Sequence, residues 1–432
     1  MKHNLFRAGV FAASLFAFTL PSVAEVVHPA WSVNATIYEV NVRQYSPEGT
    51  FAGVDQQLPR LKQMGVDILW IMPINPIGQE KRKGPLGSYY AVKDYKAINP
   101  EFGSMSDFKA LVRHAHALGM KVIIDWVPNH TAWDHPWVKD HPEWYLKDAS
   151  GKIGPVRFGS GADASVWEDV VGLDYRVPGL RAAMLDAMGF WLKEADIDGF
   201  RCDVAGNVPT DFWNEARPAL DKIKPVFMLA ESDKPELQEH AFDMSYDWDF
   251  YHLMVKAAQG KADGRDLAAF FTHPHHVYPA GSYRMEFTSD HDENSWNGSD
   301  AELYGKGFKV YATLAATVPG MPLVYSGQEA GLDKRLEFFK RDPIQWRDYP
   351  LQGFYRDLMA LKHSHPALAN GVEGGSMEIL DPHNPKIFAF KRVKAGKSLT
   401  VEVNLTDTPQ RIEGAGLKPE TLEAFGTRII AE

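Results

Sequence analysis

Short apolar runs alternate with longer amphipathic stretches along most of this chain. The run at 67–73 (DILWIMP) is almost wholly apolar, which is typical of a strand buried on both faces of a parallel sheet. The next stretch, 104–119, opens with Ser and carries Phe108 and Leu111 at helical spacing before it ends in Gly. This alternation recurs to about residue 363 and predicts repeated strand and helix units.

Eight strands are predicted from this alternation. They span 36–42, 67–73, 121–127, 199–204, 226–231, 241–246, 282–289 and 321–327. Helices are predicted at 54–65, 104–119, 179–195, 211–223, 248–259, 265–272, 301–317 and 349–363. Successive units joined by right-handed crossovers close on themselves. The expected fold class is therefore α/β, a (β/α)8 TIM barrel, and the strand at 241–246 has the weakest pattern.

Two segments break the alternation. Residues 131–175 are rich in Trp, Gly, His and Asp without a long period, and unstructured loops of this length are uncommon. We expect a short subdomain inserted after the third strand. Residues 371–432 contain short strands with Gly and Pro turns, which predict a small C-terminal antiparallel β-domain of sandwich type. The barrel is then assigned to 25–370.

The first 24 residues have the pattern of a secretory signal peptide: a basic start, an apolar run and small residues up to Ala24. We expect an exported protein, periplasmic or secreted from a bacterial-type cell, without a membrane anchor after cleavage. Cys202 is the sole cysteine, so no intrachain disulfide can form. The net charge of −10 argues against nucleic-acid binding.

The predicted strand ends carry polar residues, and in such a barrel these ends meet at one mouth. They are Asp125, Asn129, His130, Arg201, Asp203, Glu231, His291 and Asp292. Arg201 and Asp203 are two apart on one strand, so they share a face, and we expect the guanidinium to keep Asp203 ionised. Carboxylate clusters either bind divalent metals or perform acid–base and nucleophilic chemistry. Because the sequence contains no H-E-x-x-H motif, glycoside hydrolysis by two carboxyls is the favoured interpretation.

These residues stand in motifs that resemble those of glycoside hydrolase family 13, the α-amylase family. The matching segments are 125–130 (DWVPNH), 199–203 (GFRCD), Glu231, 289–292 (SDHD), 87–95 (GSYYAVKDY), 172–175 (GLDY) and 320–329 (GMPLVYSGQE). They follow the family's order over nearly the whole chain after residue 24. The resemblance implies the barrel fold and action on α-glucans.

The resemblance also implies roles for individual residues. Asp203 corresponds to the nucleophile of a retaining mechanism, Glu231 to the general acid/base, and Asp292 to the residue that stabilises the transition state. The implied substrate-binding residues are Tyr90, Asp125, His130, Arg201 and His291. No cofactor is needed for this chemistry. Asn129 is a candidate ligand for a structural calcium ion, with local hydrogen bonding as the alternative.

Three departures from the family pattern concern specificity. Typical α-amylases follow the nucleophile with Ala-Ala-Lys-His, whereas this chain has Val-Ala-Gly-Asn at 204–207. Asp290 stands where the fourth motif usually has Asn. The insertion is short for a full calcium-binding domain.

The expected function is an exported hydrolase of α-1,4 bonds in starch or maltooligosaccharides. Three alternatives within the family stay open: α-1,6 cleavage, cyclodextrin or neopullulanase-type action, and glycosyl transfer. A catalytically silent carbohydrate-binding relative and a metal-dependent phosphodiester hydrolase belong to other classes. These residues do not fix an oligomeric state.

Overall fold

A computed structural model describes residues 26–159, 165–414 and 416–432. The signal peptide predicted at 1–24 and part of the insertion, 160–164, lie outside the described residues. The strands are β1 Ile37–Val40, β2 Ile68–Ile71, β3 Lys121–Trp126, β4 His130–Ala132, β5 Pro155–Phe158, β6 Ser165–Gly172, β7 Gly199–Cys202, β8 Phe227–Ala230, β9 Met244–Tyr246, β10 Tyr283–Glu286, β11 Met321–Tyr325, β12 Ser376–Leu380, β13 Ile387–Lys394, β14 Lys397–Asn404, β15 Gln410–Ile412, β16 Glu420–Leu422 and β17 Thr427–Ala431. The α-helices are α1 Val42–Tyr45, α2 Phe51–Asp55, α3 Leu58–Met64, α4 Met105–Ala117, α5 Pro136–Asp140, α6 Pro178–Glu194, α7 Thr210–Asp221, α8 Trp248–Ala258, α9 Gly264–Thr272, α10 Asp300–Tyr304, α11 Phe308–Thr317 and α12 Gln352–Ser364.

Eight of the described strands close a parallel barrel in the order β1, β2, β3, β7, β8, β9, β10, β11. The ring closes where β1 pairs with β11, with Tyr38 beside Val324. The predicted (β/α)8 fold is thus confirmed. The strand with the weakest sequence pattern, β9, is also one of the shortest, with three residues.

The apolar runs form barrel strands because both of their faces are covered. Every residue of β2 and of β8 is buried, which is why these strands have no polar alternation. Helix α4 begins after Ser104, whose side chain forms a capping box with Asp107. Gly119 follows this helix with a positive φ of 76°.

Two predicted helices are each divided in the structure. The helix expected at 54–65 is split into α2 and α3, and Pro59 lies in the first turn of α3, where its missing N–H costs nothing. The helix expected at 301–317 is split into α10 and α11 by the Gly305–Gly307 turn. Local breakers therefore shorten these helices while the apolar faces remain in place.

The insertion and the C-terminal segment both form antiparallel sheets. Strands β4, β6 and β5 make a three-stranded sheet after β3, packed through Val156 and Val170 against Ile77 of the loop that follows β2. At the C-terminus, β12, β13, β14 and β17 form one sheet, and the β15–β16 hairpin packs on it. Arg392 in β13 donates to the Thr317 carbonyl at 2.9 Å, which ties this sheet to the barrel.

The described helices include none that combines the length and apolar character needed to cross a bilayer.

Gly199 supplies a direct test of the barrel packing, because it begins β7 where two strands approach closely. Its φ is +154°, and a Cβ built there would lie 1.9 Å from the carbonyl oxygen of Phe227 in β8. We expect Gly199→Ala to lower the free energy of unfolding by about 3 kcal/mol or more, measured by chemical denaturation. Gly154→Ala is the control, since nothing lies within 4 Å of its Cβ position. Equal stability of the two variants would contradict the packing described for β7 and β8.

Candidate active site

The structure brings all eight predicted site residues to the carboxyl end of the barrel. Asp125 and Arg201 lie near the ends of β3 and β7, and Asp203 and Glu231 directly follow β7 and β8. His130 begins β4, Tyr90 stands in the segment after β2, and His291 and Asp292 stand in the segment after β10. Tyr90, His130, Asp203, Glu231 and Asp292 line one cavity of about 310 Å³. Asp125, Arg201 and His291 are buried beside these lining residues.

The guanidinium of Arg201 is the centre of the cluster. Its Nη1 donates to Asp125 Oδ1 at 2.9 Å and to Asp203 Oδ1 at 3.2 Å, while Nη2 pairs with Glu231 Oε2 at 3.0 Å. Its Nε donates to the hydroxyl of Tyr246 at 3.2 Å. The side chain is 1% exposed. One buried cation thus holds three carboxylates from three consecutive barrel strands.

Asp203 combines a fixed oxygen with a free one. Oδ1 is held by Arg201, whereas the buried Oδ2 accepts no hydrogen bond from the described residues and lies 4.0 Å from His130 Nε2. Burial and the nearby Glu231 carboxylate raise the pKa of Asp203 well above its ordinary value, against the opposing effect of Arg201. The pKa of Asp203 is therefore not lowered as its pairing with Arg201 suggested, because this cation is shared by three carboxylates.

His130 faces Asp203 as a neutral donor. Burial lowers the pKa of His130 to about 3, so the ring is uncharged at neutral pH. The amide of Asn129 donates to its Nδ1 at 3.1 Å, which leaves the ring proton on Nε2. This Nε2 is buried and has no partner among the described residues. A ligand hydroxyl in the cavity would supply the missing acceptor.

Glu231 is oriented by a strained residue. Its Oε2 accepts the backbone N–H of Val204 at 2.6 Å in addition to the contact with Arg201. Val204 has φ +38° and ψ 44°, a left-handed conformation that β-branched residues rarely adopt. Strain of this kind persists where surrounding contacts over-determine it, and here it turns an N–H toward the carboxylate.

A second chain of contacts links the fourth motif to Asp125. His291 Nε2 lies 2.7 Å from the hydroxyl of Tyr90, which donates to Asp125 Oδ2 at 3.0 Å. The rings of Tyr90 and His291 stack with centroids 5.4 Å apart. Asp292 Oδ2 lies 3.4 Å from the same His291 Nε2, and this carboxylate is 39% exposed toward the cavity. Burial, opposed by Arg201 and His291, raises the pKa of Asp125 to about 6.

Residues 24–357 match the family model for the α-amylase catalytic domain. The chain belongs to the α-amylase family. This confirms the resemblance found in its motifs.

Three relatives illustrate the range of the α-amylase family around this chain. The α-amylase MalA of Haloarcula japonica is 28% identical over 404 residues, covering 89% of this chain and 57% of that protein. The α-1,4-glucan:maltose-1-phosphate maltosyltransferase of Cereibacter sphaeroides is 29% identical over 404 residues, which cover 85% of this chain and 65% of that protein. An α-amylase from Lactobacillus plantarum, known from a crystal structure, is 32% identical in sequence and superposes with a TM-score of 0.81. The match covers 92% of this chain and 99% of that one. The chain spans 57% and 65% of the length of these two curated relatives, one described as a hydrolase of the amylase type and the other as a transferase.

Glu39 is a site residue of this α-amylase family member that the sequence analysis missed. It lies in β1, fully buried, and its Oε1 and Oε2 accept from His291 Nδ1 at 2.6 Å and from the His291 backbone N–H at 3.2 Å. Although burial alone would lower it, Asp292 and Glu39 raise the pKa of His291 well above its ordinary value. The imidazolium then donates from both ring nitrogens. The only sequence signal was a single carboxylate within an apolar strand.

Asp290 is the buried residue that stands where the fourth motif of the family usually has Asn. It is 1% exposed, and its Oδ1 accepts the backbone N–H of Glu293 at 2.7 Å. Burial raises the pKa of Asp290 well above its ordinary value. The observed hydrogen bond uses Asp290 only as an acceptor, a role that the side-chain oxygen of Asn can also fill.

The cavity rim contains further charged and aromatic residues, some from the insertion. Lys83 pairs with Asp169 of the insertion at 2.9 Å. The rim also includes the aromatic residues Trp167, Trp296, Phe338 and Phe339. Trp167 packs against His130 with centroids 5.5 Å apart.

The surroundings of Asn129 do not fit a calcium site. Calcium requires six to eight oxygen ligands, of which several are usually carboxylates. The described residues that line the cleft with Asn129 include one carboxylate, Asp148, together with Lys147 and Arg157. Among the described residues there is also no group of three or more His, Cys, Asp or Glu that could hold a metal. Asn129 contacts His130 at 3.1 Å, the local hydrogen bond expected as the alternative to a calcium ligand.

The Glu39–His291 pair predicts a measurable change in titration. Glu39→Gln should lower the pKa of His291, because a neutral amide replaces the charged acceptor of its imidazolium. The pKa of His291 is higher in the folded protein than in the unfolded chain, so the Glu39–His291 pair stabilises the fold fully below the unfolded pKa of His. This stabilisation is lost as the pH rises through the pKa of His291 in the folded protein. In the variant, NMR titration should show that the His291 ring loses its proton at a lower pH than in the unmodified protein.

Glu329→Gln is the matched control for this titration. Glu329 is also buried but contacts Tyr38 at 2.7 Å and Arg60 at 3.0 Å, away from His291. An unchanged His291 titration in Glu39→Gln would contradict the role given to Glu39.

Proposed function

We propose that this protein is an exported, retaining α-glucan hydrolase that cleaves α-1,4-glucosidic bonds in starch or maltooligosaccharides. The observation that carries the proposal is the pairing of Asp203 and Glu231 on one buried guanidinium. Asp203 has a free oxygen toward the cavity, and both carboxyls line the same 310 Å³ space. Two carboxyls arranged without a metal are the catalytic requirement for glycoside hydrolysis.

The first step uses one proton held between the two carboxyls. Arg201 contacts Asp203 at 3.2 Å and Glu231 at 3.0 Å, so both carboxyls are held beside the same space. We assign that proton to Glu231 when glucan is bound. Asp203 Oδ2 attacks the anomeric carbon while Glu231 gives its proton to the departing glycosidic oxygen. This forms a covalent glycosyl ester on Asp203 and releases the leaving sugar.

The second step reverses the roles. Glu231, now ionised, removes a proton from water, and the resulting oxygen attacks the anomeric carbon and displaces Asp203. The anomeric configuration is retained because it is inverted twice. Water and a sugar hydroxyl are both chemically competent at this step, so hydrolysis and transfer share the same intermediate.

The neighbouring residues are assigned to the charge and hydroxyls of the transition state. His130 Nε2–H and the partly exposed Asp292 face the cavity and would bind sugar hydroxyls. The imidazolium of His291 is held by Glu39, so it can donate without reorganisation. The buried Tyr90 completes the wall beside Asp203.

One specific observation favours a second candidate, α-1,6 cleavage, cyclodextrin opening or glycosyl transfer. Gly206 stands where typical α-amylases have Lys, and its carbonyl accepts from Lys234 Nζ at 2.6 Å. A sugar on the leaving-group side therefore meets different chemistry from that in a typical α-amylase. The relative from Cereibacter sphaeroides, a maltosyltransferase by description, belongs to the same family.

Export is proposed on the signal peptide pattern of residues 1–24. Expression of the complete chain in a Gram-negative host, followed by cell fractionation and N-terminal sequencing, tests it. A mature N-terminus at Glu25 in the periplasm or medium would support export. An uncleaved protein in the cytoplasm would contradict it.

The catalytic assignment is tested by conservative substitution. Asp203→Asn should reduce kcat on maltoheptaose by at least about 10⁴-fold, because the amide cannot form the glycosyl ester. Asp211→Asn is the control, since this Asp is 69% exposed and pairs with Arg181 outside the cavity. Activity of Asp203→Asn equal to that of Asp211→Asn would exclude Asp203 as the nucleophile.

The bond specificity is tested by products from starch, maltoheptaose, β-cyclodextrin, panose and pullulan, with and without chelator. A ladder of short maltodextrins from starch and maltoheptaose is expected, unchanged by chelator. Preferred cleavage of panose or β-cyclodextrin would favour the second candidate. No turnover of any glucan would favour a silent binding protein, and a chelator-sensitive activity confined to phosphodiesters would favour the metal-dependent alternative.

A further inference from the structure

Trp296 is an exposed aromatic ring at the rim of the catalytic cavity. It is 52% exposed, and the other large apolar residues exposed in the described part of the chain are Val27, Leu146, Ile223, Val277 and Val372. It lines the cavity together with Asp203 and Asp292. An indole ring left in water at the mouth of a cleft is a surface for a ligand, because its burial would remove a large apolar area from water.

The ring is held in one orientation before any ligand binds. It packs against Phe338 and Phe339, with centroids 5.2 and 5.9 Å apart. Its backbone belongs to a π-helix, Glu293–Asn297, and its carbonyl accepts from Arg335 at 3.2 Å. π-Helical turns are frequent at functional sites. The exposed ring is thus pre-organised by contacts on one side and open on the other.

The polar edge of the same ring contacts the fourth-motif carboxylate. The indole Nε1–H donates to Asp292 Oδ1 at 3.1 Å, and the other oxygen of Asp292 lies 3.4 Å from His291 Nε2. The indole hydrogen bond and the ion pair with His291 restrain a side chain that is otherwise 39% exposed. Without the indole, Asp292 could rotate between its rotamers in the open cavity.

We propose that Trp296 is both a substrate-binding residue and the positioning residue of Asp292. Its open face stacks on the sugar ring next to the one that Asp292 binds, and its N–H orients the Asp292 carboxylate for the transition state. The apolar C–H face of a pyranose matches a flat aromatic surface, while its hydroxyls reach Asp292. This inference rests on the proposed action on α-glucans.

Two substitutions separate the functions of the ring and of the N–H. Trp296→Phe keeps a ring but loses the donor to Asp292, so kcat on maltoheptaose should fall about tenfold while KM stays within about twofold. Trp296→Ala loses both, so KM should also rise about fivefold. In an Asp203→Asn background, calorimetry with maltoheptaose should show the same rise in Kd for the Ala variant only.

Trp133→Phe is the matched control, because its indole N–H donates to the Glu168 carbonyl at 2.9 Å outside the cavity lining. Circular dichroism checks that each variant is folded. If the unmodified enzyme cleaves maltoheptaose but Trp296→Phe behaves like Trp133→Phe in kcat, and the Ala variant binds maltoheptaose normally, the inference is wrong and the glucan hydrolase assignment stands. If the unmodified protein neither binds nor cleaves a glucan, the proposed function itself fails.

Discussion

The arrangement of this site depends on one buried guanidinium shared by three carboxylates. Arg201 is surrounded by Asp125, Asp203 and Glu231 at 2.9 to 3.2 Å, with almost no exposure to solvent. A buried charge is tolerated only when it is paired and hydrogen-bonded. The hydrogen bonds and ion pairs of the buried guanidinium therefore fix the positions of the three carboxylates. Three carboxylates share one cation, so burial and their mutual repulsion raise the pKa of Asp203 against the effect of Arg201.

The barrel allows residues from distant parts of the chain to meet at this cation. Asp125 stands opposite Arg201 in the register of β3 and β7, and Arg201 stands opposite Leu229 in β8, two residues before Glu231. Parallel strands bring all their carboxyl ends to one mouth, which is why a short loop after each strand suffices. The close approach at Gly199 preserves the position of Arg201 at the end of β7. The stability of the fold and the geometry of the site therefore have a common origin.

The amino-acid sequence predicted the features that depend on local pattern. Apolar runs located the barrel strands, and the polar residues at their ends located Asp125, Arg201, Asp203 and Glu231. The same reasoning missed Glu39, because a contact between residues 252 positions apart has no local signal. The strained backbone of Val204 was not predictable from a β-branched residue, since only the neighbours of the folded site enforce it.

The pKa of Asp203 in the folded site differs in direction from what its sequence motif implies. A pair such as Arg201 and Asp203, taken alone, implies an ionised Asp, but the sign of the pKa shift is set by burial and by Glu231, which follows another strand. The two-residue motif shows Asp203 as one partner of Arg201 but does not show how many other carboxylates contact the same guanidinium. Only the folded site shows that one Arg serves three acids.

The central claim, that Asp203 Oδ2 forms the covalent intermediate beside Arg201, is tested most directly by trapping that intermediate. The enzyme would be incubated with a fluorinated glucosyl fluoride that forms the glycosyl ester faster than it hydrolyses, then digested and mapped by mass spectrometry. The account predicts one added glycosyl unit on the peptide that contains Asp203. A label on Glu231 or Asp292, or release of the inverted anomer without any label, would contradict it.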